Sequence, residues 1–268
     1  VLWEGLPRID DAIAAYGRAI RSEPGDGDAH FRLGTCYRMR YESLQRRSAD
    51  FQQAVDHWTR ARQIRPNQYI WRRRIEQYGP RLTKPYPFYD WVETASAAIR
   101  ARGEQAVALD TLPTGSEMAR PARDFDVEKQ DTPPNALDAI QSDSQPLILS
   151  EVTVVPPRVK PEKTVRVHLS LRPNAQLKAH WNNEAEPLKL WVELPEAWQA
   201  QPQRLVASQP KQPESSETRT LEFELRTPAK AQGEYELRVH AWYYVCEDVS
   251  GACRFLHQAI PIAVIVDQ

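Results

Sequence analysis

The residues best placed for chemistry form one short segment, Cys246-Glu-Asp-Val-Ser-Gly-Ala-Cys253. Strand-like sequence flanks it, Trp242-Tyr-Tyr-Val before and Arg254-Phe-Leu after. In a hairpin the two cysteines lie opposite each other, and cross-strand α-carbons about 4.5–5.5 Å apart are within disulfide reach. Such a disulfide closes a small loop, so its entropic stabilisation falls at the low end of about 2–4 kcal/mol. A small-loop disulfide on an exposed hairpin is also open to thiol–disulfide exchange. Three readings stand side by side: a structural disulfide, an exchange-competent pair and a metal site. The metal reading is the poorest, because two cysteines alone hold zinc badly and His240 and His257 have no recognisable ligand spacing with them. In exchange, Glu247 and Asp248 disfavour a thiolate at Cys246, whereas Arg254 favours one at Cys253 and makes it the expected nucleophile.

Other chemistry finds little support. The 268 residues include only 10 Gly, against 22 Pro and 3 Cys, and contain no phosphate loop, dinucleotide fingerprint or zinc-protease motif. No cofactor and no metal is expected. His180-Trp181 could suggest a catalytic base, but no nucleophile is tied to it by pattern, and a loop or strand-edge role is the expectation. Cys36, beside Tyr37, reads as a small buried hydrophobe. The most basic stretch is Trp71-Arg-Arg-Arg74 with Arg60, Arg62 and Arg65. Three consecutive arginines point around a helix and do not form one face, and the chain's net charge is −1, so nucleic acid is not an expected partner. No apolar run reaches the roughly 18 residues of a membrane span. The sequence starts at Val1 with neither initiator Met nor signal-like segment, and reads as a fragment or a mature form.

The elements that must position these residues divide in two. Residues 1–109 hold six prolines and the remainder holds 16. Residues 1–105 carry a net charge of +5 and the rest −6. In the first part, Ala12, Tyr16, Ala19 and Pro24 share their spacing with Ala54, Trp58, Ala61 and Pro66. Small residues let helices approach closely, an aromatic fills the groove and Pro ends the helix. With Leu33, Gly34 and Tyr37 on the intervening helix, residues 8–80 resemble the tetratricopeptide repeat. About eight extra residues lie around Arg38–Asp50 relative to that pattern. The resemblance implies a surface for protein or peptide partners, with Tyr37, Trp58, Arg62, Arg65 and Trp71 as candidate contacts. The aromatics Tyr86, Phe88, Tyr89 and Trp91 lead into a capping helix expected over about 88–102 and read as a plug on the last repeat helix.

Residues 106–146 read as a Pro-rich linker. From Leu147 onward the apolar period becomes two, with strands expected at 147–155, 164–171, 187–194, 203–208, 219–226, 234–245 and 254–266. The fold class expected is therefore an all-α, tetratricopeptide-like part over 1–105 followed by an antiparallel immunoglobulin-like β-sandwich over 147–268.

His180-Trp-Asn-Asn183, Pro187-Leu-Lys-Leu190, Pro195, Trp198, Gly233-Glu-Tyr-Glu-Leu, Tyr243-Tyr-Val-Cys246, Cys253 and Pro261 together resemble the periplasmic N-terminal domain of the thiol–disulfide interchange protein DsbD. They also resemble a related domain that ends some bacterial redoxin proteins. The resemblance covers about 146–268. It implies an immunoglobulin-like sandwich, a redox pair at Cys246 and Cys253, a thioredoxin-like domain upstream or in trans, and a periplasmic or cell-envelope setting. The six residues between the cysteines exceed the family's loop slightly, and Phe255 is the nearest counterpart of its aromatic cap. The chain is thus expected to be a protein-binding scaffold with an accessory β-domain and no enzyme on its own. The alternative is a thiol–disulfide relay.

Overall fold

A computed structural model describes residues 8–83, 91–106, 120–121, 146–248 and 252–268. The chain divides into two compact units, 1–124 and 125–268. The expected plug residues Tyr86, Phe88 and Tyr89 and nearly all of the expected 106–146 linker lie outside the described residues.

The first unit holds helices α1 (Ile9–Ser22), α2 (Gly27–Tyr41), α3 (Asp50–Ile64), α4 (Tyr69–Glu76) and α5 (Trp91–Ala101). It also holds two short strands, β1 (Leu82–Thr83) and β2 (Arg120–Pro121), paired antiparallel. Asp26 caps α2, its side chain accepting from the Ala29 amide at 3.0 Å. Pro24 and Pro66 follow the ends of α1 and α3 and prevent their extension. The core between α2 and α3 is built on Gly34. A Cβ there would lie 2.7 Å from the Trp58 ring and 2.9 Å from the Ala54 carbonyl, so only glycine allows this approach.

The expectation of an all-α, tetratricopeptide-like first part is corrected here. Among the described residues the helices are five and short, 8 to 15 residues long, and a two-stranded sheet belongs to the same unit. After α4, of only eight residues, the chain turns at Gly79-Pro80 and becomes extended at Leu82–Thr83. Proline removes the amide that another helical turn needs, and the chain pairs with Arg120–Pro121 instead of adding a repeat helix. The larger part of the described fold is β-structure.

The second unit is a two-sheet β-sandwich. Its strands are β3 (Ile148–Val155), β4 (Arg158–Val159), β5 (Thr164–Pro173), β6 (Ala179–Asn182), β7 (Lys189–Glu193), β8 (Gln199–Gln201), β9 (Arg204–Val206), β10 (Glu214–Ser215), β11 (Arg219–Arg226), β12 (Gly233–Glu247) and β13 (Ala252–Val266). One sheet has the order β3-β5-β11-β8. The other runs β10-β6-β12-β13-β4, with β7 also paired to β12 and β9 to β7. All these pairs are antiparallel except β13 with β4.

Alternation sorts the side chains. Val165, Val167, Leu169 and Leu171 of β5 meet Val239, Ala241, Tyr243 and Val245 of β12 in one buried core. Trp181 of β6 is fully buried there, its indole donating to the Glu217 carbonyl at 2.9 Å and its ring edge-on to Tyr243. Because the odd residues of β12 point inward, the even residues His240, Trp242, Tyr244 and Cys246 share the opposite face.

Candidate functional site

The hairpin of β12 and β13 registers Cys246 opposite Cys253. The two are joined by a disulfide with Cα atoms 4.0 Å apart. The bond is asymmetric in its exposure: Cys246 is buried, at 4 % exposed, whereas Cys253 is exposed. The strand on the other side of β12 adds a third member. β6 registers His180 opposite Cys246, so His180, Cys246 and Cys253 form one row across three strands. Residues directly paired across antiparallel strands project to the same face. Ala179 and Trp181, the neighbours of His180, both point into the core, which turns His180 to the outer face with the cysteines.

His180 has two carboxylates near its ring. Nε2 lies 3.5 Å from Glu214 Oε1 and Nδ1 lies 3.4 Å from Asp248 Oδ1. Arg254, expected from sequence to favour a thiolate at Cys253, instead donates to Glu247 Oε1 at 2.7 Å. That pair belongs to the other parity of the hairpin: Arg254 registers with Val245 and Glu247 with Ala252.

The next row along the same face is aromatic. Tyr244 and Phe255 stack with centroids 4.5 Å apart, and Phe255 is 37 % exposed. Further along lies a cluster of two imidazoles and two indoles. His240 Nε2 faces Glu193 Oε2 at 3.0 Å and its Nδ1 faces His257 Nε2 at 2.9 Å. The rings of Trp191 and Trp242 flank His240, and their buried indole N–H groups have no hydrogen-bond partner among the described residues. Burial, then the neighbouring His240, pushes the His257 pKa down. Six residues of extended strand separate His240 from Cys246, roughly 20 Å, too far for one metal ion to join them. No group of three or more potential metal ligands occurs among the described residues.

The helical residues named as partner contacts sit differently. Trp58 is fully buried, donates to the Phe31 carbonyl at 3.2 Å and stacks on Tyr78. Trp71 is buried and stacks on Phe31. Both fill the interior of the first unit. Tyr37 is half-buried with its ring stacked on His57. Arg65 pairs with Asp28 at 2.8 Å, and burial pushes the Arg62 pKa down. Cys36 is half-buried, and burial pushes its thiol pKa up, as befits an unreactive packing residue.

The sequence offers His180 only as a candidate base with a loop or strand-edge role; its place in the row with the cysteines comes from the register of β6. Trp181 was the available signal: an indole fixed in the core dictates that its neighbour on a strand faces outward. The strand itself was hidden, because four residues, Ala179–Asn182, are too few to display a period.

No family model and no curated protein matches the sequence. Solved structures with some likeness include a variant of the major pilin subunit BcpA of Bacillus cereus, 7% identical over 44% of this chain and 40% of the pilin, with a TM-score of 0.27. AggA, the major subunit of aggregative adherence fimbriae type I from Escherichia coli, is 16% identical over 44% of this chain and 95% of its own, with a TM-score of 0.25. The YadV chaperone is 14% identical over 44% of this chain and 52% of its own, with a TM-score of 0.22. Likenesses this slight carry no argument about function.

Proposed function

We propose that the second unit performs thiol–disulfide exchange at Cys246–Cys253 with a dithiol protein partner. The observation that supports this most is the asymmetry of the disulfide, one sulfur buried and the other on an exposed residue. Exchange requires a thiolate to approach one sulfur in line with the S–S bond, and exposure selects Cys253 as the sulfur attacked. The partner thiolate forms a new disulfide with Cys253 Sγ while the Cys246–Cys253 bond breaks and its electron pair passes to Cys246 Sγ. The partner's second thiolate then displaces Cys253. The partner leaves as a disulfide and both cysteines remain as thiols, so two electrons have moved to this chain. In reverse, the Cys253 thiolate attacks a partner disulfide and Cys246 resolves the adduct.

The resemblance of residues 146–268 to the DsbD N-terminal domain supports the same reading, and with it an extracytoplasmic setting in which disulfides persist. A thioredoxin-like domain, upstream or in trans, is the partner class this implies.

Trapping tests the proposal. In reduced protein, Cys246→Ser keeps the exposed nucleophile without its resolving partner and accumulates a mixed disulfide with a thioredoxin-fold protein. Cys253→Ser forms little or none. A disulfide that thiols reduce only after the protein unfolds, or equal trapping by the two variants, overturns the proposal.

A further inference from the structure

We infer that His180 holds the proton that the Cys246 sulfur takes up when the disulfide opens, an inference that rests on the exchange reading above. Cys246 is 4 % exposed, so a thiolate formed there lacks most of the water that would otherwise stabilise it. A buried anion without a counter-charge is costly, and either a cation beside it or a proton delivered to it removes that cost. The register supplies His180 on the adjacent strand, in the same row and on the same face, with cross-strand Cβ atoms about 4.5–5.5 Å apart in such pairs. Arg254, the other cation at the hairpin, is engaged by Glu247 at the opposite parity.

The groups that face His180 are Cys246 on β12, Glu214 on β10 and Asp248 just past β12. Lys178, exposed, precedes β6, and its carbonyl accepts the Asp248 amide at 3.4 Å, which ties that carboxylate to the start of the strand. The two carboxylates lie 3.5 and 3.4 Å from the His180 ring nitrogens. When a thiolate attacks Cys253 Sγ and the electron pair reaches Cys246 Sγ, the imidazolium gives that sulfur its proton. Cys246 is left as a neutral thiol and His180 as a neutral imidazole. In the reverse direction neutral His180 accepts the Cys246 proton and generates the resolving thiolate. His180 thus acts on the leaving and resolving sulfur, and the exposed Cys253 needs no such help.

The test is the rate at which dithiothreitol reduces the oxidised full chain from about pH 5 to pH 8, the range in which histidine side chains change charge. Each rate is divided by the thiolate fraction of dithiothreitol. In the unaltered protein the normalised rate falls about tenfold or more as pH rises, because the imidazolium is lost; general acids commonly contribute on this scale or above. His180→Gln lowers the rate at the acid end by a similar factor, leaves the alkaline end unchanged and gives a flat profile. His180→Asn serves as a second variant. Variants that keep the original pH profile overturn the role of His180 while leaving exchange intact. A disulfide in the unaltered protein that resists reduction until unfolding overturns exchange itself.

Discussion

The two units use the same residue types to opposite ends. In the helical unit, His, Trp, Arg and Asp are turned inward on one another. His30 and His57 meet at 3.0 Å between Nδ1 atoms, and Arg40 pairs with buried Asp50 at 2.6 Å and with Asp10 at 2.5 Å. In the sandwich, an apolar core is closed by one parity of each strand, and the other parity of β6, β12 and β13 carries Cys, His and aromatic rings along one face. A helical hairpin with few apolar residues packs with whatever side chains face its partner. A strand in a sandwich separates packing from display at every step. Trp58 and Trp71 of the first unit are thus packed inward, whereas on the outer face of the second unit Cys253 and Phe255 are exposed.

The largest expected effect breaks the helical side of this comparison. Trp58→Ala removes a fully buried indole and costs the first unit about 3–5 kcal/mol. Thermal or urea unfolding measures it, and the rate of Cys246–Cys253 reduction stays unchanged. Retained stability with loss of a bound partner would instead make Trp58 a surface contact. Gly34→Ala follows, at about 1–3 kcal/mol, because the added methyl meets the Trp58 ring and the α3 backbone, neither of which can yield freely. The same unfolding measurement, compared with Gly17→Ala, sharpens the point. A Cβ at Gly17 meets only the Arg21 guanidinium at 3.6 Å.

How much of this could be read from sequence follows the same division. Alternation located the long strands because Leu221, Phe223 and Leu225, or Val165, Val167 and Leu169, repeat often enough to define a face. The strands Arg158–Val159, Ala179–Asn182, Gln199–Gln201 and Glu214–Ser215 were invisible, being two to four residues each. The place of His180 beside Cys246 was hidden with its strand. Cys246 and Cys253 were legible as a facing pair from hairpin geometry alone, but their unequal exposure was not, since it depends on β6 covering one side of β12 and not β13. In the helical part, the spacing of Ala54, Trp58 and Ala61 correctly marked a helix with a small-residue face. It could not reveal that the chain becomes extended between α4 and α5, because that outcome rests on pairing between Leu82–Thr83 and the distant Arg120–Pro121.

The charged groups of the sandwich give a smaller effect. Glu222 of β11 bonds His168 Nδ1 at 2.9 Å and pairs with Arg166, both on β5. The His168 hydrogen bond, opposed by burial and aided by Arg166, pulls the Glu222 pKa down to about 2. The carboxylate is thus more acidic in the folded state than the roughly 4.3 of an unfolded chain. Its contribution is fully present above that unfolded value and is lost as pH falls through about 2. Glu222→Gln costs about 1–2 kcal/mol near neutrality and flattens the acid limb of stability against pH. An unchanged acid limb would remove Glu222 from the account.

The smallest effect separates the units by pH. Burial, with His30 beside it, pushes His57 down to about 4. An unfolded histidine titrates near 6.5, so below that value the unfolded state binds more protons than the folded one. The stability His57 contributes is present above about pH 6.5 and is lost as pH falls through about 4, by a few degrees in midpoint for a unit of this size. Glu222 acts only at lower pH, so between about pH 6 and 4.5 acid loosens α2 and α3 before it reaches β5 and β11. Hydrogen exchange resolves this directly: peptides from Gly27–Tyr41 and Asp50–Ile64 gain exchange across that interval, and peptides from Thr164–Pro173 and Arg219–Arg226 do not. His57→Phe keeps a ring against Tyr37 and removes the titrating group, so the interval should flatten in the helical peptides. If both sets respond together and His57→Phe changes neither, the inward-turned histidines are not what makes the first unit acid-sensitive, and the contrast between the units narrows to where their cysteines lie.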